Sequence, residues 1–307
     1  MAASTVIRAG SQKRRRSTSM YGYLFTLPYI VLLLLFGIGP TLYAIFISFT
    51  DTSSDTPVFN GLTNYIVAFH DFRFWPAFVN IFLYLLIWLP FMIAMVLLLA
   101  LLLQTRPGRL SATMRLIYYL PGAVSGSASA ILWLFMFDPQ ISPFSLILHA
   151  FGFKVIADTL YTPHVPVLLM IISFSIGAGG WIVVMYGALQ NISREVMEAA
   201  KIDGANAWQT AFSIKIPLIA KYIVYMLILS FAGGTQLFVE PQLLGKASGN
   251  LISPTWAPNE LAYAFAFQIG NLGASAAISV ILLLVGLLGA YLIVFRTNFF
   301  STDAMKG

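Results

Sequence analysis

Residues 21–50 read YGYLFTLPYIVLLLLFGIGPTLYAIFISFT and carry no charged side chain. An α-helix needs about 20 residues to cross roughly 30 Å of hydrocarbon, so this segment is long enough to span a bilayer. It is also far longer than the apolar core of a cleaved signal peptide, roughly 7–15 residues. We read it as an uncleaved first membrane span. Outward from it, apolar runs recur at about residues 77–104, 116–137, 166–190, 222–244 and 274–295. His149 and Lys154 interrupt the shorter run 141–156, which is expected at the membrane interface. The pattern gives an all-α integral membrane protein with six transmembrane helices in one domain, residues 21–307.

Composition agrees. The chain has 307 residues, 59% hydrophobic and 9% charged, against about 25% charged in soluble domains. Its net charge of +6 would fit a nucleic-acid partner in a soluble protein. Here the basic residues flank apolar runs, so the lipid bilayer accounts for them and no nucleic acid is implied. The chain has no cysteine, which excludes disulfides and thiolate metal sites. His70, His149 and His164 share no ligand spacing, and no metal site is expected.

Charge placement sets the topology. Residues 1–20, with Arg8 and Lys13-Arg14-Arg15-Arg16, form a basic tail too polar to bury a core and expected to be disordered. With six spans, that tail, the loops 105–115 and 191–221 and the C-terminus share one side. They hold 14 of the 17 Lys and Arg residues, leaving Arg73, Lys154 and Lys246 opposite. The positive-inside rule puts both termini in the cytoplasm of a multi-pass cell-membrane protein. The loops are too short for a soluble catalytic domain, and no phosphate-binding loop of the G-x-x-x-x-G-K-[ST] kind occurs. The chain is not expected to be an enzyme. Ionisable residues are nearly absent from the spans, the exception being Glu240 near the outer end of the fifth; proton- and sodium-coupled carriers place theirs mid-membrane, which counts against that class. A secondary carrier or channel without an ATPase partner is the alternative.

The loop 191–221, NISREVMEAAKIDGANAWQTAFSIKIPLIAK, carries the most information. Ser193 can cap a helix over 194–203, with Glu195 at its positive end. Gly204 can stop that helix with a positive φ. Asn206 can cap a second one, on which Ala207, Trp208, Ala211 and Phe212 share an apolar face. Pro217 is expected to end it. Such a pair of short amphipathic helices either lies on the lipid surface or docks a cytoplasmic partner.

Glu198-Ala199-Ala200, then Asp203-Gly204-Ala205, then Ile214, Ile216 and Pro217 resemble the coupling loop of permease subunits of binding-protein-dependent ABC importers. Gly187-Ala188-Leu189-Gln190-Asn191-Ile192 extends the resemblance upstream. Phe59-Asn60-Gly61-Leu62-Thr63-Asn64-Tyr65 with Phe74-Trp75 and Asn80, and Arg115 with Tyr119-Leu120-Pro121 and Trp133-Leu134-Phe135, resemble its carbohydrate branch, as does Gly273-Ala274-Ser275-Ala276-Ala277. The maltose and glycerol-phosphate permeases belong to that branch. The sequence departs from the family pattern at Ser193, usually Pro, at Ile216, usually Leu, and at Leu244–Asn250, which replaces a Gly-Gly-Pro.

The resemblance implies a type I ABC importer permease, transporting a sugar or polyol. It implies a second permease subunit, two cytoplasmic ATPase subunits that bind ATP and Mg, and an extracytoplasmic substrate-binding protein. This subunit itself needs no cofactor. Glu198, Ala199, Ala200, Asp203, Gly204, Ala205, Ile214 and Pro217 would couple it to the ATPase. By position, Ser173, Gly177, Gly180, Ser230, Gly233 and Gly234 would line the substrate path, together with the polar Gln236 and Glu240. Trp133 and Trp181 are candidate sugar-stacking residues.

Overall fold

The computed structural model describes residues 11–52, 57–124 and 126–297. Helix α1 (Ser11–Leu33) continues through a π turn at Leu34–Ile38 into α2 (Gly39–Ser48). It begins at Ser11, so the second half of the expected disordered tail is helical; the first half lies outside the described residues. The segment after α2 holds a two-residue hairpin, β1 (Thr50–Asp51) against β2 (Val58–Phe59), with Thr50 opposite Phe59, followed by α3 (Thr63–His70).

Asn64, from the 59–65 motif, gives that segment its purpose. Its Nδ2 donates to the carbonyl of Ser48, the last residue of α2, at 3.1 Å and to that of Thr50, in β1, at 2.8 Å. A buried side-chain amide thus closes the C-terminal end of the first span.

The remaining helices are α4 (Phe74–Thr105), α5 (Arg109–Ala123), α6 (Gly126–Phe137), α7 (Ser145–Ala150), α8 (Ile156–Thr159) and α9 (Val165–Gln190). After them come α10 (Arg194–Ile202), α11 (Ala207–Gln209), α12 (Ile216–Leu218), α13 (Ala220–Thr235), α14 (Val239–Ala247), α15 (Pro258–Ala264) and α16 (Leu272–Arg296). Four stretches, Gly22–Ser48, Phe74–Thr105, Thr162–Gln190 and Leu272–Arg296, are long and apolar enough to cross a membrane. Two bent pairs pass the same test, giving up to six spans if each pair counts as one.

Those bends revise two expected spans. The third is α5 plus α6, whose axes differ by 102°. The fifth does not run unbroken to residue 244. Helix α13 stops at Thr235, and Glu240 sits on the separate α14, which packs on α6. Pro217 does not end the second loop helix either. It occupies the first turn of α12, where its missing N–H is harmless, and the chain bends by 69° into α13 just beyond.

The core forms where α4 and α9 run alongside each other, with Tyr84, Met92 and Val96 meeting Leu169, Ile172, Ile182 and Met185. Helix α5 crosses α9 closely enough that a Cβ on Gly122 would come within 2.6 Å of the Ile176 carbonyl. Small residues at such a crossing are the membrane substitute for a hydrophobic driving force. Helix α16 closes the other flank against α2, α3, α13 and α15. Near the start of α4 Asn80 donates to the Trp256 carbonyl at 3.1 Å, tying α4 to the segment before α15.

Candidate functional site

A cavity of about 400 Å³ opens where α13 breaks off from α14. Helix α4 contributes Tyr84 and Trp88, α9 contributes Ser173 and Gly177, and the broken fifth span contributes Gly233, Gly234, Gln236 and Glu240. Six of the eight residues expected to line a path therefore meet in one place. Gly180 and Ser230 do not line it; Ser230 is buried in α13, its hydroxyl without a partner. Trp133 and Trp181 lie elsewhere. The Trp133 indole donates to Ser175 Oγ at 2.9 Å, joining α6 to α9, and Trp181 packs edge-on against Tyr225.

The aromatic wall is instead Tyr84 and Trp88, stacked with centroids 5.5 Å apart and planes 14° from parallel. Tyr84 Oη donates to Ser173 Oγ at 2.8 Å, which fixes the ring against α9. Trp88 Nε1 is buried without a partner, a donor beside the cavity. The two glycines differ. A Cβ on Gly234 would lie 2.6 Å from Leu85 and 3.0 Å from the Trp88 ring, so that position is closed by packing. A Cβ on Gly233 would meet nothing within 4 Å, so that position is open. Sequence reading missed Tyr84 and Trp88 because both sit in a run where nearly every position is apolar. The available signal was an aromatic pair one helical turn apart, i and i+4.

The other candidate residues stand on the loop between α9 and α13. Ser193 Oγ accepts from the Val196 N–H, capping α10. Its far end closes with Gly204 at φ +75°, the Ala205 N–H donating to the Ala200 carbonyl at 3.0 Å and the Gly204 N–H to Lys201 at 3.1 Å. That reciprocal pair requires the left-handed residue that glycine supplies. Asn206 and Gln209 then cap the next helix reciprocally, each side chain accepting from the other's N–H at 2.9 Å. Glu198, Ala199, Asp203, Gly204 and Pro217 are exposed; Ala205 and Ile214 are half-buried. Ala200 is 5% exposed and packs inward, so its role is to seat the helix rather than to present it.

Gln104, at the end of α4, ties this loop to the bundle. Its Nε2 donates to the Leu189 carbonyl at 2.9 Å and its Oε1 accepts from Lys215 Nζ at 2.8 Å. One amide thus joins α4, α9 and the loop. Burial there holds the Lys215 ammonium below the usual lysine range. Nearby, the Arg115 guanidinium lies 4.0 Å over the Tyr186 ring, pinning α5 to α9.

These features define a polytopic membrane protein whose fifth span joins a protruding, glycine-bent loop to an internal cavity. Residues 65–296 match the family of binding-protein-dependent transport system inner membrane components, and the chain belongs to that family. It is 30% identical to the lactose transport system permease protein LacF of Rhizobium radiobacter, covering 83% of this chain and 86% of that one. It is 28% identical to the arabinooligosaccharides transport system permease protein AraP of Bacillus subtilis (strain 168), covering 86% and 84%. A chain of a bacterial alginate ABC transporter, solved with a pentasaccharide-bound periplasmic protein, shares the fold at TM-score 0.74, with 20% identity and coverage of 96% and 98%.

Proposed function

We propose that this chain is a permease subunit of an ATP-driven importer for an uncharged sugar or related polyol. It pairs with a second permease subunit above two ATPase subunits, which bind ATP and Mg, and receives its substrate from an extracytoplasmic binding protein. Both termini face the cytoplasm. One observation carries the reading. Helix α13 starts at the loop and ends at the cavity without interruption, Ala220 to Thr235, about 24 Å at 1.5 Å per residue. A movement of the loop is delivered to Gly233 and Gln236 by a rigid rod.

The cavity supplies what a sugar needs. At the C-terminal turn of α13 the Gly233 and Gly234 carbonyls accept from the Gln236 and Leu237 N–H groups, and each keeps a second lone pair that can accept from a hydroxyl. Gln236 adds a side-chain partner, and Glu240 adds an acceptor. Glu240 is the one charged side chain in the lining, with no cation beside it there. That favours neutral hydroxylated substrates and disfavours acidic ones, since like charge in a water-poor site is costly. The lactose and arabinooligosaccharide permeases among its relatives support a carbohydrate.

Reconstitution in liposomes with the ATPase and binding protein tests this. Gly233→Leu should assemble and bind ATPase normally while uptake of the transported sugar falls at least tenfold. Unchanged uptake would remove the cavity from the path.

A further inference from the structure

A second concavity, about 700 Å³, lies between the end of α4 and the loop helices, apart from the cavity described above. Its walls change character along its length. At one end are Leu97, Leu98 and Leu101 of α4; at the other are Thr105, Lys201 and Lys215. Trp208 and Phe212 close the side, their rings 4.1 Å apart, with Trp208 70% exposed.

The gradient coincides with a membrane boundary. Helix α4 has 32 residues, about 48 Å of helix against roughly 30 Å of hydrocarbon, so its last turns emerge among the headgroups. The leucines lie at acyl-chain depth and the lysines at headgroup depth. Tryptophan is the residue that prefers this level. Among the described residues neither lysine is in an ion pair; Lys215 is held by Gln104 alone. The acidic Glu198 and Asp203 do not line the groove.

We infer that this groove is a binding site for one anionic glycerophospholipid of the cytoplasmic leaflet. Its acyl chains lie along Leu97, Leu98 and Leu101, and its phosphate sits between Lys201 and Lys215. Charge complementarity selects the occupant. An apolar partner helix would bury both ammonium groups unpaired, whereas a phosphodiester neutralises them. A bound lipid would wedge the apolar face of the second loop helix against α4, making the stance of the loop sensitive to membrane composition. The inference rests on the cytoplasmic placement of the 191–221 loop, which cysteine labelling tests separately.

The probes are phosphatidylglycerol and phosphatidylcholine, added to the delipidated, detergent-purified whole complex and followed by native mass spectrometry. Retention should favour phosphatidylglycerol by about tenfold or more. Lys201→Gln and Lys215→Gln should each reduce that preference roughly fivefold, and Lys201→Arg/Lys215→Arg should restore it. Brominated phosphatidylglycerol should quench tryptophan emission in the wild-type complex and markedly less in Trp208→Phe. Equal retention of the two lipids by the wild-type complex would overturn the proposal, whatever the variants do. So would crosslinking of Trp208→Cys to the second permease subunit in the delipidated complex.

Discussion

Single residues divide the loop's work between shape and charge. Gly204 holds φ +75° at the end of α10, where a side chain would add roughly 1–2 kcal/mol of strain. Glu198 is exposed, and an exposed ion pair with an ATPase residue is worth about 0–1 kcal/mol. Gly204→Val should therefore damage coupling more than Glu198→Ala. Measuring ATPase attachment, hydrolysis and uptake together decides it; wild-type values in all three for Gly204→Val would make the loop passive. Another residue carries a pH dependence. Glu260 caps α15 by accepting from the Ala257 N–H at 3.0 Å, and its side chain is fully buried. Burial pushes its carboxyl up to about 7, with backbone hydrogen bonds from Ala257 and Trp256 opposing. The folded chain then holds this proton more tightly than the unfolded one, where the carboxyl titrates near 4.5. The associated stability is complete below about pH 4.5 and is lost as pH rises through about 7, on the order of 3 kcal/mol in all. Protection factors across residues 256–270, which divide out the base-catalysed rise of intrinsic exchange with pH, should be lower at pH 8 than at pH 5.5, and Glu260→Gln should flatten the difference. An unchanged pH response in that variant would assign it to another group.

At the scale of elements, the sequence located the apolar runs but not their direction. Residues 77–104, 166–190 and 274–295 became α4, α9 and α16 within a few residues, because a straight span is little more than its hydropathy. The runs at 116–137 and 222–244 each became two helices, because hydropathy sums composition and is blind to a bend. That blindness hid the cavity's form. Gln236 and Glu240 were legible as polar residues in an apolar run, yet they face a cavity because the helix breaks between them. The loop was legible in finer detail, because Ser193, Gly204 and Asn206 act locally, through caps and a left-handed turn. The clasp that orients it was not, because Gln104 lies 85 residues before Leu189 and 111 before Lys215. Gln104→Leu would leave the Leu189 carbonyl and the Lys215 ammonium without that partner, at a cost of about 1–3 kcal/mol each if both stay buried. The expected result is faster hydrogen exchange over residues 204–218 and ATP hydrolysis that no longer drives uptake, with helices α4 and α9 still paired. Tight coupling in that variant would show that the loop keeps its stance without the clasp.

For the whole molecule, orientation follows from where the cations fall relative to the helices. The loop carrying Arg194, Lys201, Lys215 and Lys221 stands at the same end of the bundle as Thr105, since Gln104 bonds to Lys215. Arg106, Arg109 and Arg115 follow at that end of α4 and in α5. At the opposite end Arg73 is already committed. Its guanidinium makes two 2.8 Å hydrogen bonds to Asp71, which holds that carboxyl below the usual carboxylate range and lies 5.5 Å from the Phe265 ring centroid. The absence of native cysteine makes the test clean. Lys246→Cys, exposed on α14, should react with an impermeant maleimide on intact cells, and Ser213→Cys, exposed in the loop, only after the membrane is opened. The reverse pattern would place the loop outside, away from any ATPase. Labelling of both residues in intact cells would break the alternation of spans from which the coupling argument starts.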